Sequence, residues 1–129
     1  MAGVRQVQVT FDCAEPLAVS AFWQAALGYV EPPGADDDGS WAVAQDPDGV
    51  GPRLYFQRVP EAKVVKNRMH LDVRVVTGLV GEERLRVLEA EASRLEGLGA
   101  RRVELLLADE ENESCYVMQD VEGNEFCLD

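Results

Sequence analysis

The sequence holds one histidine, His70, in a run where apolar and polar residues alternate. Met69, Leu71 and Val73 take one side and His70, Asp72 and Arg74 the other, which is the period of a half-buried strand. His70 is therefore expected to face open space and not a helix, where an imidazole can touch a ligand or move a proton. The competing reading is a hydrogen-bonded structural histidine. Asp72 shares its face. It is a general base if burial raises its pKa, or else a partner for Arg68 or Arg74. His70 and Asp72 form the candidate catalytic pair.

The same parity selects the candidate ligand-binding residues. Gln8 alternates with Val7 and Val9, Tyr55 and Gln57 with Leu54 and Phe56, and Glu125 and Cys127 with Phe126 and Leu128. A slip of one residue in any of these strands would bury the polar set and expose the apolar one. Trp41 opens another strand-like run and suits a half-wet rim, where an aromatic with a polar N–H can stack on a ligand. Trp23, beside Phe22, reads as core. Cys127 is either a soft donor or a small apolar filler. Asn67 and Arg68 either hold an anionic ligand group or tie down the link between the two halves, and the tie is favoured. No Gly-rich phosphate loop, CxxC pair or nucleophile elbow is present.

These residues need elements to position them, and the elements come twice. Ser40-Trp41-Ala42-Val43-Ala44-Gln45-Asp46-Pro47-Asp48-Gly49 returns as Ser114-Cys115-Tyr116-Val117-Met118-Gln119-Asp120-Val121-Glu122-Gly123. Each block follows a helix-like segment ending in Leu-Gly, at Leu27-Gly28 and Leu98-Gly99. Val4 to Phe11 reads as a strand. Glu15-Pro16 opens a helix whose buried stripe is expected at Leu17, Ala21, Phe22 and Ala25. Trp41 to Ala44 and Leu54 to Val59 follow as strands, with a weakly marked one near Tyr29 to Glu31. The second half reads as a strand around Met69 to Val73, then a helix over Glu82 to Leu98 burying Leu85, Leu88, Ala92 and Leu95. Strands over Arg101 to Leu107, Ser114 to Met118 and Glu125 to Leu128 complete it. The expected fold is α+β, two βαβββ modules over residues 1–62 and 63–129 forming a curved mixed sheet. Helices cover only one face, so the other should curl into a cup that holds the polar set.

At 129 residues and 47% apolar, the chain has enough material for one real core. A net charge of −12 argues against nucleic acid and anionic membranes, since both recruit clustered Lys and Arg, and suits a cationic ligand. The run Asp36-Asp37-Asp38 reads as a solvated loop. No apolar run approaches the roughly 20 residues of a membrane span, and the first residues carry no signal-like segment. Three cysteines, an odd number, point to reduced thiols in a cytoplasm.

Ala21-Phe22-Trp23 with Leu27-Gly28, the segment Lys66 to Asp72, Leu98-Gly99-Ala100 and the ending Asp120 to Leu128 together resemble the vicinal oxygen chelate superfamily, and within it the glyoxalase-like domain proteins. The superfamily includes glyoxalases, extradiol dioxygenases, and fosfomycin- and bleomycin-resistance proteins. Pro is usual where Val121 stands. In metal-dependent members, residues on the first and last strands of both modules converge on one divalent ion. Carried over by position, the resemblance implies Gln8 and His70 as metal ligands, Cys127 where a Glu is usual, and Tyr55 or Gln57. That set is poor, because such sites favour imidazole and carboxylate and need about three firm donors. His70 with Cys127 suits Zn²⁺ only if Glu125 or Gln57 joins them. The expectation is therefore a small-molecule-binding protein without a cofactor, of the bleomycin-sequestering kind. The alternative is a lyase, isomerase or dioxygenase using one divalent ion. The resemblance also implies a homodimer.

Overall fold

A computed structural model describes residues 3–33 and 38–129. Asp36 and Asp37 of the acidic run lie outside the described residues. The chain divides into two compact units, Met1–Ala62 and Lys63–Asp129.

Unit 1 runs β1 (Gln8–Cys13), α1 (Pro16–Leu27), β2 (Trp41–Ala44) and β3 (Arg53–Arg58), with strand order β1-β3-β2. β1 pairs β3 in parallel and β2 pairs β3 antiparallel. The weak second strand is a single bridge, Val30 to Gln45. Unit 2 runs β4 (Leu71–Val73), α2 (Gly81–Gly97), β5 (Arg101–Leu106), β6 (Cys115–Gln119) and β7 (Glu125–Leu128), in the order β4-β7-β6-β5. Again the first strand pairs the last in parallel, while β5–β6 and β6–β7 are antiparallel. The repeated blocks thus occupy equivalent places, each supplying the strand before the last and the turn after it. An Asp side chain holds that turn in both. Asp46 accepts from the Asp48, Val50 and Gly51 N–H groups, and Asp120 from those of Glu122 and Asn124.

Several boundaries differ from the sequence reading. β1 begins at Gln8, leaving Val4 and Val7 exposed, because Pro52, just before its partner Arg53, has no N–H to extend the ladder. β4 begins at Leu71, and Met69 is 87% exposed instead of meeting the core. Before it, Asn67 engages Glu125, its N–H donating to the Glu125 carboxylate at 3.0 Å and its side-chain amide to the Glu125 carbonyl at 3.4 Å. Helix α1 buries Pro16, Val19, Ser20, Phe22 and Trp23, and not the stripe Leu17, Ala21 and Ala25. Its apolar residues surround the helix, so periodicity did not choose a face. Side-chain size did, since Phe22 and Trp23 remove most area from water.

The unit 1 core is aromatic. Phe11 meets Trp23 and Phe56 at ring separations of 5.6 and 5.1 Å, and Phe22 stands edge-on to Trp23 at 5.3 Å. The unit 2 core is mainly aliphatic, with Leu88, Ala92 and Leu95 on α2 buried along with Met118, Leu128 and one aromatic ring, Phe126, on the strands. Leu85 is only half-buried. Arg84 takes the buried place instead, donating to the carbonyls of Ser114, Val76 and Leu79 at 2.8–3.1 Å.

Candidate functional site

Strand register gives each unit a helix-free face. In unit 1, Val9, Phe11, Leu54 and Phe56 meet α1, so Gln8, Thr10, Asp12, Tyr55, Gln57 and Trp41 take the opposite side. Trp41 and Tyr55 stack there with centroids 5.9 Å apart and planes within 11°, both half-buried. Gln57 lies between Asp12 and Trp41 in the register, and its amide donates to Asp12 Oδ1 at 2.7 Å. Gln8 is exposed opposite Arg53, four residues from that row. Sequence reasoning passed over Asp12, although its parity with Gln8 was in view.

In unit 2 the opposite side from α2 carries Asp72, Glu125, Cys127, Val117 and Cys115. Asp72 and Cys127 are direct register partners, and His70 stands just before β4. His70 Nε2 and Asp72 Oδ1 are 3.2 Å apart, with both side chains about half exposed. Asp72 therefore pairs with neither arginine, and Arg74 binds Asp129 at 2.7 Å. Nor is Asp72 buried, as a carboxylate general base of the kind expected would need to be. Glu125 is committed elsewhere. Its carboxylate accepts from Lys63 Nζ at 2.9 Å and the Asn67 N–H at 3.0 Å, so the tie expected of Asn67 runs to β7. Burial pushes the Glu125 carboxyl up, but the Asn67 N–H and the Lys63 ammonium outweigh it and hold it below its ordinary range.

The thiols are raised. Burial, then the neighbouring Cys115, Asp72 and Asp129, push Cys127 up to about 11. Burial leads for Cys115 too, followed by Asp129 and Asp72. This side of unit 2 thus concentrates negative charge, and a thiolate adds to it only at a cost.

The donor atoms of His70, Asp72 and Cys127 all lie within 4.8 Å of one another. A tetrahedral Zn²⁺ with N and O ligands about 2.1 Å away separates them by about 3.4 Å, close to the 3.2 Å between His70 and Asp72. In type and spacing the three fit a divalent ion. Binding would break the His70–Asp72 contact and remove a proton that Cys127 holds tightly. Of the other sequence candidates, Glu125 in unit 2 is tied to Lys63 and Asn67, while in unit 1 Gln57 meets Asp12 and Tyr55 stacks on Trp41. Open hollows of about 610 and 730 Å³ lie at strand ends, and of the expected ligand set only Gln8 lines either.

The family model for the Glyoxalase-like domain matches residues 8–128. No curated protein matches the chain. Among solved structures, a glyoxalase/bleomycin resistance protein/dioxygenase family enzyme from Burkholderia phytofirmans superposes with a TM-score of 0.70 at 16% identity, covering 94% of each chain. The fosfomycin resistance protein FosX from Listeria monocytogenes, complexed with Mn(II) and a dihydroxypropylphosphonic acid, gives 0.70 at 12% identity, covering 99% of this chain and 89% of its own. A possible glyoxalase from Bacillus cereus gives 0.67 at 17%, covering 98% of each. At such identities the likeness is one of fold.

Proposed function

The chain belongs to the Glyoxalase-like domain family, and on that premise we propose that it binds a small molecule without a metal, by sequestration. The observation that carries this reading is the Trp41–Tyr55 stack on a helix-free face. Two large rings left partly exposed to water suit a ligand that covers them, and each offers a flat apolar surface with a polar end. The Gln57 amide, oriented by Asp12, supplies a fixed hydrogen-bonding group beside them. On unit 2, the ligand-binding residues we propose are His70, Glu125 and Cys127, which belong to that unit's own helix-free side. A thermal-shift screen of chelator-treated, untagged protein over antibiotics and cell metabolites tests this. A ligand that stabilises wild type, and fails to stabilise Trp41→Ala, is the expected result. Hits that act only after metal is restored would contradict it.

A second reading rests on the convergence of His70, Asp72 and Cys127. These three would hold a divalent ion, which would supply Lewis acidity for lyase, isomerase or dioxygenase chemistry. The chain's own contribution is then to supply the donor atoms of His70, Asp72 and Cys127 and to give up the Cys127 proton. Metal analysis of protein purified without chelator or tag separates the readings: one ion per chain favours the second, none the first.

The setting we propose is cytoplasmic, supported by three free cysteines and, among the described residues, by the lack of any helix long and apolar enough to cross a membrane. The net charge of −12 supports the absence of nucleic-acid and membrane-surface partners. A homodimer is supported by β5, an edge strand on which Val103, Leu105 and Leu106 are exposed, with Leu107 just beyond it. A monomer in sedimentation at micromolar concentration would remove it.

A further inference from the structure

We infer that the helix-free face of unit 1 selects a cationic ligand, an ammonium or guanidinium group carried on a flat apolar body, with Asp12 as the residue that sets the charge preference. The inference rests on the binding reading above and names its ligand class. Three features of the face agree. The stacked Trp41 and Tyr55 rings present faces of negative quadrupole, which attract a cation held within about 6 Å of a centroid. Asp12 stands opposite Gln57 and therefore diagonal to Tyr55, whose partner on β1 is Thr10. Diagonal neighbours in a sheet are about 7–8 Å apart, so one cation lying on the Tyr55 ring is within reach of the Asp12 carboxylate. Gln57 donates its amide hydrogen to Asp12 Oδ1, and this turns its own oxygen into a further acceptor for an N–H donor.

Arg58 and Arg53, the two arginines on the strand that carries Tyr55 and Gln57, do not fill this place. Arg58 lies on the α1 side, donating to the carbonyls of Gly39 at 2.9 Å and Ala14 at 3.4 Å. Arg53 stands opposite Gln8, four residues or about 13 Å along β3 from the Asp12–Gln57 row. The surplus of acidic over basic residues, 24 against 12, adds a long-range attraction for cations that salt should weaken.

The test titrates chelator-treated full-length protein with benzyltrimethylammonium, benzyl alcohol and phenylacetate, which share a ring and differ in charge, and reads tryptophan fluorescence. Trp23 is 1% exposed, so the response reports Trp41. The expected result is saturable binding of the cation alone, weakened about fivefold by Asp12→Asn, lost in Tyr55→Leu, which keeps the Trp41 reporter, and reduced by salt. Asp12→Asn keeps an oxygen for the Gln57 amide and removes only the charge, so a fold defect does not confuse the comparison. Unchanged affinity in Asp12→Asn, or equal binding of phenylacetate, overturns the inference. Saturable binding of benzyl alcohol in place of the cation also overturns it and leaves the binding reading standing. Failure of all three probes together with an empty ligand screen defeats both.

Discussion

Asp46 and Asp120 hold the same turn at the same place in two units that share an order of elements, yet the faces those turns support have little in common. Unit 1 buries aromatic rings against α1 and presents Trp41, Tyr55, Gln57 and Asp12 on the other side. Unit 2 buries aliphatic side chains against α2 and presents His70, Asp72, Cys127 and Cys115. The parallel pairing of first and last strands, the Asp-held turn and the glycine after each helix are backbone devices, and the backbone can repeat while the side chains diverge. A stacking surface and a cluster of donors have been built on the same plan. The two chemistries can therefore be broken separately, and the scaffolds beneath them should fail in different ways.

The largest effect is expected in the unit 1 core. Trp23→Ala removes the ring that contacts both Phe11 and Phe22, and should cost about 3–5 kcal/mol in denaturant unfolding. Its counterpart in unit 2 is polar. Arg84→Met keeps the stem but leaves the carbonyls of Ser114, Val76 and Leu79 without their donor, for an expected loss of about 2–4 kcal/mol. Arg84→Lys should recover only part, since one ammonium does not reproduce the guanidinium fork. If Arg84→Met were neutral, the unit 2 core would be aliphatic in energetics as well as in composition.

The two helix ends give a smaller and sharper contrast. Gly28, at φ 73°, has open space where a Cβ would go, so Gly28→Ala should cost about 1 kcal/mol from backbone strain alone. Gly99, at φ 108°, would place its Cβ 2.8 Å from Val121 Cγ1, and Gly99→Ala should cost about twice as much. Equal losses would mean that the Val121 side chain yields freely.

The smallest effect concerns the thiols. With a pKa near 11 against an ordinary 9.0, Cys127 should alkylate about 100-fold more slowly at pH 8 than its thiolate chemistry would otherwise allow. Asp72→Asn removes a neighbouring negative charge and should speed it. Because the folded state holds this proton more tightly than the unfolded chain, the associated stability is complete below about pH 9. It is lost as pH rises through 11. An unfolding free energy flat between pH 8 and 10.5 would contradict the assignment.

The alternation of polar and apolar residues made strand faces legible, because period two is a property of the backbone and holds wherever a ladder forms. It was read correctly over residues 54–57 and Glu125–Leu128, and failed at Val7 and Met69, which lie beyond the ends of the ladders, at Pro52 and at the Asn67–Glu125 contacts. The buried side of α1 was not legible because apolar residues surround the helix. Helix α2, whose charges are segregated, showed its stripe except at Arg84, whose buried bonds depend on carbonyls distant in sequence. For the site, the register followed from the pattern, but side-chain commitments did not. Glu125 turning to Lys63, Asp72 to His70 and Gln57 to Asp12 are choices among rotamers that no spacing encodes.

The central claim is that this chain captures its ligand through the stacked aromatic face without a metal. Its most direct test is isothermal titration of the best ligand from the screen into untagged protein, before and after chelation, with Trp41→Ala and Cys127→Ser in parallel. The account predicts the same affinity with and without chelation, loss of binding in Trp41→Ala and little change in Cys127→Ser. Binding that vanishes on chelation and in Cys127→Ser, but survives in Trp41→Ala, would contradict it.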